Sequence, residues 1–228
     1  MRYINNRNKE PKELTDYREG TPGVTYDDLG KKRKDIIRNS LLDEQGYICA
    51  YCMGRIDIDT CTIEHYISQT RHEESPYTEE EHQRQSLLYS NMCGVCKNDS
   101  EHCDKSRGNT PLEILDPHQQ TCEELITYSL NGKIVPTGRE VEKVNKDIET
   151  LGLNCEKLVK LRKTVWDEIW DRFKKDYKSK DWSKKLFLDY AQKYRTKEHK
   201  RHGIMKYHAY CNFIVWGFEY YAENYKHM

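Results

Sequence analysis

Glu64 and His65 stand side by side in "CTIEHYISQ", Cys61 to Gln69. A carboxylate binds hard divalent cations, and a neutral imidazole takes a proton from water near neutral pH. Together they supply two needs of phosphodiester hydrolysis: an anchor for a cation that bridges the phosphate, and a general base for the attacking water. The segment is strand-like up to Glu64, and neighbours on a strand point to opposite faces. The pair can serve one site only at a strand end, where the chain turns into a loop. Alone, the dipeptide is also what an ordinary polar surface contains.

The cysteines around it give it more weight. Cys49-Ala50-Tyr51-Cys52 is one CxxC pair and Cys93-Gly94-Val95-Cys96 is another. Two such pairs at this separation point to a structural zinc site of four thiolates. Gly54 and Gly94 suit the tight turns of such knuckles. Cys103, in "HCDKSRGN", adds a fifth thiol for four places, with His102 as a further contender. Spacing alone pairs Cys93 with Cys96 and leaves one of Cys93, Cys96 and Cys103 spare. A redox role for either CxxC lacks the βαβ context it needs. Cys61, Cys122, Cys155 and Cys211 are isolated and read as small buried apolar residues.

These residues need elements to position them. Residues 1–24 read as an irregular arm broken by "EPKEL" and "GTPG". A helix is expected from Tyr26, where Leu29, Ile36, Ile37, Leu41 and Leu42 recur at helical spacing. Lys31, Lys32, Arg33 and Lys34 on its early turns are either a solvated face or phosphate contacts. Residues 68–86 read as a long polar loop. From about residue 140 the chain reads as helical to its end. Leu158, Leu161, Val165, Trp166, Ile169 and Phe173 form one stripe, and Phe213, Ile214, Gly217, Phe218, Tyr221 and Tyr225 another; both read as core.

Composition limits the setting. Charged residues make up 33% and mean hydropathy is -1.01, yet 36% hydrophobic content and 17 tyrosines argue for a folded chain. Lys+Arg and Asp+Glu both count 38, so net charge selects no partner. No apolar run approaches the roughly 20 residues that span a bilayer. With no leader-like segment, a cytoplasmic setting with reduced thiols is expected, and the nine cysteines then read as metal ligands and buried thiols.

The ordered set "CAYC…IEH…YSNMCGVC…HCDKSRGN" resembles the zinc-stapled branch of the HNH endonucleases, the ββα-metal or His-Me finger group. The resemblance implies His65 as general base and Glu64 as a ligand of a catalytic Mg²⁺ or Mn²⁺. It implies Asn91 as the residue that steadies the loop and orients the base, and Asp104 as the second cation ligand. It ranks the thiols as well: Cys49, Cys52, Cys96 and Cys103 hold the structural Zn²⁺, and Cys93 is the alternative left spare. Asp104 stands where the family often has His or Asn. Glu64 replaces the commoner Asp, Ser68 stands where Pro often follows, and Arg107-Gly108 replaces a frequent Lys-Gly.

Downstream, "LEILDP", "YSLNGKIVP" and "LGLN…L…R" resemble HNH partner proteins of bacterial antiphage systems, including Septu and some retrons. That likeness runs over about residues 30–165. It implies a nuclease effector that cuts DNA, or RNA, alongside an ABC/SMC-like ATPase. The expected fold is α+β and mostly helical. A small zinc-stapled ββα-metal core over residues 47–115 lies between an N-terminal arm and helix, 1–46, and a helical C-terminal region, 116–228. Lys105, Arg107 and the basic stretch 193–206 offer backbone phosphate contacts. The rival is a non-catalytic zinc module that binds nucleic acid or a protein and has no use for Glu64, His65 and Asp104 together.

Overall fold

The computed structural model describes residues 1–5, 10–97, 101–199 and 203–225. The fold is α+β and mostly helical, with three small antiparallel two-stranded sheets among the described residues. Helix α1 spans Lys12–Gly20 and α2 spans Lys31–Gln45. The expected irregular arm over 1–24 is thus corrected. Pro11 caps α1, where its missing N–H costs the helix nothing, and Leu14 is fully buried against α2. Met1 and Ile4 are buried too.

Helix α2 ends where Gly46 takes a left-handed conformation at φ 60°. Its last residue, Gln45, is buried and ties three segments together. Its amide donates to the Ile48 and Gly94 carbonyls and its oxygen accepts from Gly94 N–H.

Strand β1, Cys61–His65, pairs antiparallel with β2, Met92–Cys96, with Glu64 opposite Cys93 and His65 opposite Met92. Alternation on β2 divides the interior. Met92 joins a small cluster with Leu14, Tyr26, Leu29, Ile37, Leu41, Leu87 and Tyr89, while Cys93 and Val95 join the main core. Between the strands, residues 79–86 form α3, Glu79–Ser86, where a polar loop was expected. A capping box between Thr78 and Glu81 starts it. The short helix α4, Asp104–Arg107, follows β2.

The rest of the chain packs onto this unit. β3, Ile126–Tyr128, and β4, Ile134–Pro136, form a hairpin. Helices α5, Val141–Thr150, α6, Glu156–Asp176, α7, Lys184–Arg195, and α8, Cys211–Asn224, carry most of the aromatic core. A two-residue hairpin, β5 (Glu198–His199) with β6 (Met205–Lys206), interrupts the expected run of helix. In the α6 stripe Leu161 is exposed, contrary to expectation. Gly217 lets α8 close on α6, since a Cβ there would sit 2.2 Å from the Trp166 ring. No described helix is long and apolar enough to cross a membrane.

One cluster of buried residues runs from Cys49 and Tyr51 to Phe213 and Phe218, so the C-terminal region shares the core that carries the cysteines. Three backbone amides of "LEILDP", those of Glu113, Ile114 and Leu115, donate to the buried Asp147 carboxylate of α5 at 2.7–2.8 Å.

Candidate active site and metal centre

Four thiols meet beneath the strand pair. The Sγ atoms of Cys49, Cys52, Cys96 and Cys103 all lie within 4.8 Å of one another. Cys49 and Cys103 are 3.7 Å apart, and Cys52 and Cys96 3.9 Å. With Zn–S bonds of about 2.3 Å, the edge of a tetrahedral site is about 3.8 Å. The donors therefore fit Zn²⁺ in chemistry and in spacing. All nine cysteines are free of disulfides. Burial disfavours a thiolate at Cys49, yet bonds from Cys103, Cys52 and Cys96 hold its thiol well below the ordinary value.

The local backbone explains the geometry. Cys49 N–H bonds to Gly54 O, Met53 N–H returns to Cys49 O, and Gly54 N–H points at Cys52 Sγ at 3.4 Å. Cys93, opposite Glu64 on the strand pair, lies outside the cluster; the simple double-CxxC pairing is replaced by Cys96 with Cys103. Cys103 adopts φ 58°, and Leu151 O receives its N–H at 2.8 Å. His102 Nδ1 is 3.3 Å from Cys103 Sγ and 3.7 Å from Cys96 Sγ, outside the four ligands. Cys61, Cys122 and Cys211 are buried as expected, whereas Cys155 is half-buried.

Glu64, His65 and Asp104 line one cavity of about 590 Å³, with Tyr26, Thr62, Ser86 and Asn109 among its other walls. Glu64 and His65 have their predicted opposite faces, but β1 ends at His65 and the cavity wraps that end. α4 brings in Asp104 directly after the fourth cysteine. Burial pushes the Glu64 carboxyl up to about 7, Arg107 pulls it back, and Asp104 adds to the push. Two carboxylates brought to one cavity are a fitting donor set for a hard divalent cation.

His65 is 3% exposed. Its Nε2 lies 3.0 Å from the Ser86 carbonyl. A carbonyl only accepts, so Nε2 carries the proton, and Nδ1 is the basic nitrogen of the neutral ring. Burial pushes the imidazole down to about 4, against the Ser86 contact. Tyr26 meets the ring edge-on at 4.5 Å, and Lys34 Nζ sits 4.4 Å from the Tyr26 ring centre.

Asn91 does not line this cavity. Its Oδ1 accepts from Ile67 N–H at 2.7 Å, and its Nδ2 donates to Ile67 O and Gln85 O. It ties the turn after His65 to the end of α3, which carries Ser86. His82, buried beside it, is spoken for by Ser75 Oγ and the Ser68 carbonyl.

Arg107 corrects the expectation of a phosphate contact. It is 2% exposed. Nη1 lies 2.6 Å from Glu64 Oε1, 3.0 Å from Tyr51 Oη and 3.1 Å from His65 O. Nη2 reaches Tyr66 O, and Nε reaches Thr110 O at 2.9 Å. Lys105 stays exposed. Lys31, Lys32 and Arg33 are exposed at the start of α2, and Arg33 packs on the Tyr17 ring. The stretch 193–206 includes residues 200–202, which lie outside the described residues. Sequence reasoning missed Tyr51, Tyr26 and the Ser86 carbonyl. For Tyr51 the signal was there: a large aromatic inside a CxxC knuckle has a polar tip to satisfy.

No family model matches this chain, and no curated protein matches it. Among solved structures it is similar to the crystal structure of the Type II-C Cas9 enzyme from Actinomyces naeslundii. The TM-score is 0.28 and the identity 21%, over 62% of this chain and 13% of that one. The chain thus spans about an eighth of that enzyme's length. Likeness at that level establishes no common fold, so the site is interpreted from its own residues.

Proposed function

We propose that this chain is a metal-dependent HNH endonuclease that hydrolyses phosphodiester bonds of DNA. One observation carries the proposal. A buried His65, held in a single tautomer by the Ser86 carbonyl, shares a cavity with two acids, Glu64 and Asp104. A purely structural zinc module has no need of that trio.

His65 takes the proton of the attacking water at Nδ1, with Nε2 anchored on Ser86 O. Tyr26 and Asn91 hold the ring and its loop in place. Glu64 and Asp104 would hold Mg²⁺ or Mn²⁺, which when bound neutralises phosphate and leaving-group charge. Arg107 and Tyr51 both bond Glu64 through Oε1 and so fix how the carboxylate is presented. Cys49, Cys52, Cys96 and Cys103 would hold Zn²⁺ as a staple that brings α4 to the strand end. Exposed Lys31, Lys32, Arg33 and Lys105 contact backbone phosphates without reading sequence.

The setting in a bacterial antiphage complex with an ABC/SMC-like ATPase is supported by the motif likeness of "LEILDP", "YSLNGKIVP" and "LGLN". Recovery of a stoichiometric ATPase with the chain from its native operon tests it, and recovery of the chain alone contradicts it. The nuclease activity is tested on supercoiled plasmid with Mg²⁺ or Mn²⁺. Wild type should convert it, and Glu64→Gln with Asp104→Asn should not. A wild type inert both alone and with that ATPase returns the chain to the class of zinc-binding interaction modules.

A further inference from the structure

A second histidine is set against a hydroxyl outside the His65 cavity. His82, on α3, is buried, and so is Ser75. His82 Nδ1 meets the Ser68 carbonyl, and its Nε2 lies 2.7 Å from Ser75 Oγ. A carbonyl only accepts, so Nδ1 carries the proton. In the neutral ring Nε2 is then the acceptor, and the Ser75 hydroxyl donates to it. Tyr77 N–H donates to the same Oγ at 3.2 Å, which fixes how the oxygen is turned. The Tyr77 ring meets the imidazole edge-on at 6.1 Å, and the Thr78–Glu81 capping box starts the helix that carries it. A hydroxyl bonded to a base, with the base held in one tautomer by a third group, is the arrangement that activates serine as a nucleophile.

The hydroxyl also has open space beside it. Ser75 and His82 line a cavity of about 170 Å³ with Ile67, Pro76, Tyr77 and Leu112. Glu64, His65 and Asp104 do not line it. The apolar walls and small volume suit a short, uncharged acyl group. Asn109 lines the cavity as well, and its side-chain amide has no hydrogen-bond partner among the described residues. Such an amide is a donor for the oxyanion of acyl transfer. A bond that only tied α3 to the loop before it would need no cavity at the hydroxyl.

We propose that Ser75 is an activated nucleophile with His82 as its general base, and that it cleaves small apolar acyl esters. Ser75 Oγ attacks the acyl carbon, and its proton passes to His82 Nε2. The bond from the acyl carbon to the leaving oxygen breaks, and the departing alcohol takes that proton. Water then attacks the acyl-serine by the same route, giving its proton through His82 to Ser75 Oγ and releasing the acid. This activity is separate from phosphodiester hydrolysis and does not depend on it.

The test treats the full chain with methanesulfonyl fluoride, whose fluoride leaves as Ser75 Oγ bonds to sulfur, and separately with p-nitrophenyl acetate. Peptide mass reads the label, and absorbance reads p-nitrophenol release. Wild type should carry the label on Ser75, and Ser75→Ala should release p-nitrophenol about tenfold or more slowly than wild type. His82→Gln should label more slowly by about 10²–10⁴-fold, the usual share of a positioned base. An unlabelled Ser75 in folded wild type overturns the proposal, and so does labelling of His82→Gln at the wild-type rate. Release retained in full by Ser75→Ala overturns it too. Should His82→Gln not fold, wild type in denaturant takes its place: labelling confined to the folded chain supports the dyad, and equal labelling of the unfolded chain overturns it.

Discussion

Arg107 Nη1 lies 2.6 Å from Glu64 Oε1, and the same guanidinium grips the His65 and Tyr66 carbonyls. One side chain from α4 thus fixes both the Glu64 carboxylate and the backbone that carries His65. Both partners are nearly inaccessible, with side-chain exposures of 1% and 9%. Removing one partner of a buried pair strands the other, so Arg107→Ala should cost about 3–5 kcal/mol in a denaturant titration. Arg107→Lys keeps the charge without the planar fork. It should fold, yet bind Mn²⁺ about 10–100-fold more weakly in a titration, the usual cost of losing a ligand's orienting partner. Wild-type cation affinity in Arg107→Lys would show that the clamp serves stability alone.

Asn91 makes three hydrogen bonds to backbone, two on Ile67 and one on Gln85. Asn91→Ala leaves buried groups unpaired, and a loss of about 1–3 kcal/mol in thermal or denaturant unfolding is expected. The zinc content should stay at wild type, because none of the four cysteines depends on these bonds. Cleavage should fall through kcat, since the loop after His65 loosens. A fall in KM-dependent binding alone would place Asn91 in substrate contact instead.

Tyr26 packs edge-on to His65 at 4.5 Å with Lys34 over its face. If ring contact is what positions the imidazole, Tyr26→Phe should cleave within about twofold of wild type, and Tyr26→Leu should be slower by about tenfold or more. Equal rates for Phe and Leu variants would remove Tyr26 from the site's support. A Phe variant as slow as Leu would give the hydroxyl the role instead.

Gly152 has φ +57° and no space for a side chain beside Glu101 O. Gly152→Ala combines left-handed strain with that clash, for an expected loss above about 2 kcal/mol. The zinc loop should suffer first, so zinc release should accelerate before global unfolding. Unchanged zinc retention would detach this turn from the metal centre.

Part of the site was legible in local spacing: Cys49 and Cys52 lie in one knuckle, and Glu64 and His65 are adjacent. Cys103 and Asp104 were singled out by the motif resemblance and not by spacing. The choice of Cys96 over Cys93 was not legible from spacing. It follows from strand register, which sets Cys93 opposite Glu64. Arg107 looked like one more surface cation, because burial depends on long-range packing against Tyr51 and Tyr66. The α3 helix was missed although its Thr78–Glu81 capping box is written in "TEEE". The polar composition of 68–86 masked it, and tertiary contacts at His82 and Ser86 hold it in place. Helix α1 was missed because Pro11 reads as a breaker, when at a helix start it is compatible with the fold.

The most direct measurement is the single-turnover cleavage rate of plasmid DNA by wild type and by His65→Ala, at saturating Mg²⁺ or Mn²⁺ and equal zinc content. Loss of a positioned general base predicts a fall of about 10²–10⁴-fold with binding of DNA retained. Equal rates for the two proteins would contradict a catalytic role for His65, and with it the nuclease site described above.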